Sequence, residues 1–196
     1  MQRRANGEIS SWVDEFGDID HGCRGKYLWR EFAWRFESSF GGPEALTIRE
    51  VPAPAGPGQI RVRVTAAGLN PMDWFMTSDA ETAARFGLRL PCGFGTDYAG
   101  VVNQVGEGVT EFAAGDRVFG GALSRTVADY VLIDVVGGIA AGGDAHHTPD
   151  GVDDRTAAVL AIAGCTAAAA LAVVEPGPGD TLLIGGAGGG VGVFAV

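Results

Sequence analysis

Lysine is almost missing from this chain. Lys26 is the only one among 14 basic residues, set against 24 acidic ones, and the net charge is −10. Binding a phosphate backbone takes clustered Lys and Arg, so nucleic acid is not an expected partner. Cysteine is scarce as well. Cys23, Cys92 and Cys165 are odd in number and far apart, which supports neither a disulfide framework nor a paired-cysteine zinc site. The N-terminal stretch mixes charges with Trp12, Trp29 and Trp34 and holds no secretory apolar core. The one extended apolar segment, near 156–174, is dominated by alanine and broken by Gly164 and Thr166. It reads as a buried helix rather than a membrane span. These absences lead to the expectation of a cytoplasmic protein with no membrane segment.

What is present suffices for a folded core, with 46% apolar and 19% charged residues in a chain of 196. Residues 1–31 show no clean period and read as a poorly ordered extension, with a short helix over 26–34 as the rival reading. From Phe32 the texture changes. "AWRFESSF" alternates in part, "GGPEA" is a turn, and "LTIREVPAP" is strand-like. "GPGQIRVRVTAAGLN" is the clearest strand, with Ile60, Val62 and Val64 on one side and Arg61 and Arg63 on the other. "GTDYAGVVNQVGEGV", "FAAGDRVFGG" and "TVADYVLID" supply further strands and turns. Short strands at roughly ten-residue spacing predict a small β-barrel or sandwich. Residues 137–151 read as a loop in which His146 and His147 are solvated and point apart, and Tyr98 and Tyr130 as plain strand aromatics. Asp153 or Asp154 then caps a helix, and Pro176 to Gly179 close the helical stretch. "TLLIGG" is wholly apolar, as a strand buried on both faces of a parallel sheet would be, and "GGGVGVFAV" opens the next helix. The expected fold class is therefore mixed β and α/β.

The terminal glycines carry the first chemistry. A tight strand-to-helix turn needs residues without Cβ, so that phosphate can approach the backbone and the free N–H groups beyond it. The best dinucleotide frame is Ala187-Gly188-Gly189-Gly190-Val191-Gly192, with Gly186 before it and alanine in the first glycine position. Taken alone, the cluster fits a nucleotide turn and a plain turn equally. The ribose-binding position would fall roughly 20 residues further on, so NAD and NADP are not distinguished here.

The stretches "FGGPEALTIREVPAPAGPGQIRVRVTAAGLNPMDW", "GFGTDYAGVVNQVGEGVTEFAAGDRVFG", "ADYVLI" and "LAIAGCTAAAAL…PGDTLLIGGAGGGVG" together resemble the medium-chain dehydrogenase/reductase superfamily. The match runs from about residue 32 to 196, and its nearest branch is the zinc-independent quinone oxidoreductases and related enone reductases. The resemblance implies a GroES-like barrel over 32–152, a helical connection over 153–179, and the start of a Rossmann domain over 180–196. It implies NADP(H) as cofactor, with NAD(H) left open, a small-molecule carbonyl or quinone substrate, and a possible homodimer. Hydride would pass from the nicotinamide to a quinone or to an α,β-unsaturated carbonyl. It also implies that 196 residues hold only the threshold of the Rossmann domain and are inactive alone.

In the zinc-dependent members a cysteine stands where this chain has Asn70, and a Gly-His-Glu where it has Gly95-Thr96-Asp97. Cys165 falls a few residues past the third-ligand position, and the four-cysteine loop is missing, so no zinc is expected. By resemblance Asn70, in "NPMD", and Thr166 position the nicotinamide, while Gly186, Ala187, Gly189, Gly190, Val191 and Gly192 hold its pyrophosphate. Plainer roles compete with these. Asn-Pro ends a strand, Thr166 bonds back to its own helix, and Asp73 is a turn or cap residue. Thr77 and Asp79 stand where the branch usually has Arg and Gly, which leaves the substrate unspecified. Two other readings stay open: a non-catalytic GroES-like interaction module, and a divergent zinc-type alcohol dehydrogenase.

Overall fold

The computed structural model describes residues 31–51, 54–135 and 143–196. The expected extension over 1–30 lies outside them. Glu31 is already docked: its carbonyl accepts from Val51 N–H, and its carboxylate meets Arg61 at 2.6 Å. The rival helix over 26–34 is overturned where it can be followed, because β1 (Phe32–Phe36) is a strand. It pairs antiparallel with β2 (Leu46–Glu50) across a 3-10 turn at Pro43–Ala45. A two-residue strand, β4 (Cys92–Gly93), lies on its other edge.

The larger sheet has five strands in the order β7-β3-β5-β6-β8. They are β3 (Gln59–Gly68), β5 (Asp97–Val105), β6 (Arg117–Gly121), β7 (Tyr130–Asp134) and β8 (His146–His147). All neighbours are antiparallel. The period-2 pattern is realised on β3: Ile60 and Val62 sit in the core beside Tyr98, Val102, Val118, Val131 and Ile133, while Arg61 and Arg63 lie on the other side. Tyr98 is more than a strand aromatic, since its buried hydroxyl donates to the Asp144 carbonyl at 2.7 Å. Between β3 and β5 the backbones come close enough that a Cβ at Gly100 would lie 2.1 Å from the Arg63 carbonyl oxygen. The two sheets are stitched by the residues before β7, where Trp34 N–H donates to Val127 O and Asp129 N–H to Phe32 O. Phe36 packs edge-on to Phe94 in that seam, with ring centroids 6.0 Å apart.

Two elements were not foreseen. α1 (Pro71–Met76) and α2 (Ala80–Arg85) fill the connection between β3 and β4. At one and a half turns each they are too short for a 3.6-residue period to show. The loop expected over 137–151 is corrected at its end, since β8 pairs with β6; residues 136–142 lie outside the described chain.

Asp153, not Asp154, caps α3 (Asp154–Ala157), accepting from Thr156 N–H at 2.8 Å. Asp154 instead ties α3 to the sheet through Thr65 on β3 and Arg117 on β6. A π-helical turn at Leu160–Gly164 follows and leads into α4 (Cys165–Val174). Glu175, at a left-handed φ of 48°, stops α4 before the Pro-Gly stretch. The expected strand over "TLLIGG" is also corrected. Residues 181–184 pair with no neighbour among the described residues, and Leu183 is 95% exposed. A central parallel strand is defined by hydrogen-bonded neighbours on both edges, and among the described residues this stretch has none. The chain turns at the glycines into α5 (Gly192–Ala195).

Candidate functional site

β3 ends at Gly68, and Asn70 turns the chain into α1 with Pro71 in the first helical position, where the absent N–H costs nothing. Asp73, three residues on, takes the Asn70 backbone N–H at 2.7 Å. The reciprocal arm of this capping box is looser, because Asp73 N–H already donates to the Asn70 backbone carbonyl at 3.0 Å. The plainer roles expected for Asn70 and Asp73, strand end and cap, are therefore present. The side chains do more. Asn70 Nδ2 donates to Asp97 Oδ2 at 3.0 Å, and Thr96 Oγ1 donates to Asp73 Oδ1 at 2.6 Å. Thr77 closes the floor by donating to the Asp73 carbonyl at 2.9 Å. Two carboxylates, each 1% exposed, thus hold Asn70 from either side.

Burial dominates the electrostatics. Loss of water raises the Asp73 carboxyl above the ordinary carboxylate range, against the hydrogen bonds from Thr96 and Asn70. It pushes Asp97 up to about 6; the Asn70 amide opposes the rise, and the negative fields of Asp73 and Asp144 add to it. Asp97 Oδ1 is buried without a hydrogen-bond partner. The Ile162 N–H lowers the Asp97 pKa without closing a hydrogen bond on that oxygen.

Thr166 engages the other backbone group of Ile162, its carbonyl. Its hydroxyl donates to the Ile162 carbonyl at 2.6 Å, the back-bond expected of a helix threonine, and its side chain is exposed. Ile162 thus lies between Asp97 and Thr166, although no hydrogen bond joins Asn70 directly to Thr166. The glycine turn is built separately. Gly186 has φ +77°, its carbonyl accepts from Gly189 N–H at 2.9 Å, and Gly189 O accepts from Val193 N–H at 3.0 Å. Gly192 is buried against this turn, and a Cβ there would lie 2.1 Å from the Gly186 oxygen and 2.7 Å from Ala187 Cα. At Gly190 a Cβ would meet nothing within 4 Å, so that backbone is open to approach. Val191 is also exposed beside it. A groove of about 350 Å³ runs between α4, residues 182–186 and α5.

The loop histidines do point apart, as expected, but from a strand. His146 stacks on Phe119 and reaches Asp144, while His147 stacks on Phe112 and reaches the Glu111 carbonyl. No group of three or more His, Cys, Asp or Glu side chains among the described residues is placed to hold a metal ion. Nor is any helix among them long and apolar enough to cross a membrane. Sequence reasoning missed Asp97 and Thr96 as the partners of Asn70 and Asp73. The only signal was Asp at the third helical position after Asn-Pro, which marks the cap but not the strand that reaches it.

The model of the alcohol dehydrogenase GroES-like domain family matches residues 56–148, which hold the larger sheet and the polar cluster at the end of β3. The chain is 38% identical over 160 residues to the quinone oxidoreductase of Pseudomonas aeruginosa, a match covering 81% of this chain and 46% of that protein. The structure of the quinone oxidoreductase from Coxiella burnetii superposes with a TM-score of 0.72 at 32% identity, covering 85% of this chain and 52% of that one. The Escherichia coli quinone oxidoreductase complexed with NADPH gives a TM-score of 0.68 at 29% identity, covering 84% and 48%. The chain belongs to the medium-chain dehydrogenase/reductase superfamily, on its quinone oxidoreductase-like branch. It spans about half the length of the relatives it matches.

Proposed function

We propose that this chain is the barrel and the opening cofactor turn of a zinc-free, NAD(P)H-dependent oxidoreductase that passes hydride to a quinone or an α,β-unsaturated carbonyl. The single observation that carries the proposal is the Gly192 contact. The third glycine of the frame is packed so tightly on the Gly186 carbonyl that only hydrogen fits, while Gly190 stays open to an approaching phosphate. NADPH is the cofactor favoured, because the Escherichia coli relative is described in complex with it. Bound nicotinamide supplies the hydride chemistry; Asn70 and Thr166 orient the ring, and the backbone of 186–192 receives the pyrophosphate. Asn70 and Thr96 stand where the zinc-dependent members place cysteine and histidine. Both side chains are already committed to buried aspartates, which supports the metal-free reading. A cytoplasmic homodimer acting on a small molecule belongs to the same proposal.

The unpaired stretch at 181–184 supports a further part of the reading: this chain by itself holds cofactor weakly and is inactive. Isothermal titration of the 196-residue chain with NADPH is expected to show no micromolar binding, and a micromolar Kd overturns this part. Reading the gene past codon 196 tests the rest. An in-frame Rossmann continuation whose protein oxidises NADPH with a benzoquinone is the expected outcome. A stop codon there favours an interaction module, and stoichiometric zinc in the purified protein overturns the zinc-free assignment.

A further inference from the structure

His146 and His147 take part in none of the chemistry above. They form β8, which pairs with β6, and neighbouring strand residues point to opposite faces of a sheet. His146 stands across from Phe119 and packs on it, with ring centroids 5.6 Å apart. Phe119 packs in turn against the cluster of Ala99, Ala157 and Ala158, on the α3 side of the sheet. His147 packs on Phe112 at 4.9 Å, and Phe112 borders the core cluster on the other side. A carboxylate lies beside each ring. Asp144 Oδ2 is 3.4 Å from His146 Nε2, and Asp116 Oδ2 is 3.9 Å from His147 Nδ1. We infer that residues 143–151 form a proton-responsive strap, whose two histidines grip β6 and the turn before it from both faces, more firmly with charged imidazoles than with neutral ones.

A neutral imidazole already stacks and hydrogen-bonds, as His147 Nε2 does with the Glu111 carbonyl at 3.2 Å. An imidazolium adds an ion pair with the aspartate and an attraction to the aromatic face. The charged groups facing the pair are Asp144 within the strap, Asp116 and Glu111 in the turn before β6, and Arg117 on β6, whose guanidinium is engaged by Asp154. A positive ring thus meets a mainly acidic surround. The two side chains are 61% and 59% exposed, so solvent protons reach them while the strap is closed. Gly143 and Gly151 bound the strap at φ +113° and +82°, where glycine is favoured. Its ends are held unequally. Asp144 N–H donates to the Gly121 carbonyl at 2.9 Å, and Asp144 also accepts from Gly121 N–H and the Tyr98 hydroxyl. At the other end a single backbone bond, Thr148 N–H to the Arg117 carbonyl at 2.9 Å, precedes Gly151 and the Asp153 cap of α3. The Thr148 end is the one that opens.

Amide exchange in the full 196-residue chain at pH 5.5 and 7.5, corrected for the intrinsic pH dependence of exchange, tests the strap. Protection at Thr148 N–H is expected to be about fivefold higher at pH 5.5, the combined effect of charge contacts at two exposed rings. Val64 N–H, bonded to the Asp129 carbonyl in the same sheet, reports changes in global stability, and the Thr148 change is read relative to it. In the double variant His146→Gln, His147→Gln, which keeps polar groups but gains no charge, the difference is expected to vanish. Thr148 protection that is equal at the two pH values, that moves only in step with Val64, or that keeps its change in the double variant overturns the inference. If the double variant does not fold, the two single variants take its place, and an undiminished change in both overturns it equally.

Discussion

At the scale of single residues, the structure separates what Asn70 and Asp97 each do. Asn70 and Asp73 were legible because "NPMD" spells a cap, a proline in the first turn and an acid at the third helical position. Asp97 was legible only as the residue standing at the glutamate of the Gly-His-Glu found in the zinc-dependent members. Its role depends on a strand 27 residues away in sequence reaching the same cap, and no local pattern encodes that approach. Burial of this carboxyl has a stability consequence. Its folded pKa is about 6 against an ordinary 3.8, so the folded state holds its proton more tightly than the unfolded chain does. Stability from this group is complete below the unfolded value and is lost as pH rises through 6. The loss is on the order of 3 kcal/mol by pH 7.5. Asp73 is shifted in the same sense. Urea unfolding of the native chain is expected to show about 2 kcal/mol of this decline between pH 4.5 and 7.5, the rest falling below pH 4.5, and Asp97→Asn to flatten most of it. Equal declines in both proteins would mean that the charge is solvated.

At the scale of elements, strands long enough to alternate were legible and short ones were not. β3 carries Ile60 and Val62 against Arg61 and Arg63 in plain period 2, and the longer β5 read as a strand although its first four residues are all buried. β4 and β8 have two residues each, and two residues carry no period. Helix onset was readable at Asp153, but the choice between Asp153 and Asp154 was not. Both are acids before the same apolar run, and only the positions of Thr65 and Arg117 assign Asp154 to the sheet. The glycine turn makes a contrast that can be measured. Gly192→Ala places a methyl 2.1 Å from the Gly186 oxygen and must spread the turn, whereas Gly190→Ala meets nothing. Amide exchange at Gly189 and Val193 is expected to speed up at least tenfold in the first variant, a change of about 1.4 kcal/mol, and to stay unchanged in the second. Equal exchange in both variants would reduce the cluster to an ordinary turn.

At the scale of the whole molecule, the barrel closes its own core while the last segment does not. Val173, Val174, Leu183 and Val193 are all more than half exposed, along α4, the unpaired stretch and α5. The sequence signalled apolar burial there, and burial is what 181–184 lacks, because composition reports a preference for being covered and not the presence of a cover. An exposed apolar strip of this kind drives association. Leu183→Asp is expected to reduce light scattering on concentration while leaving the unfolding midpoint of the barrel within about 0.5 kcal/mol of the native value. Unchanged scattering would place the sticky surface elsewhere.

The stitching between the two sheets has a consequence in time as well as in space. β1 can pair with β2 as soon as both exist, but its seat on the larger sheet is made by residues 127–129, and the Phe32–Asp129 contact spans 97 positions. On the ribosome, the first hairpin must therefore wait, its inner face uncovered, until most of the barrel has emerged. Closure of that long loop, rather than any local element, sets when the domain becomes safe from its neighbours.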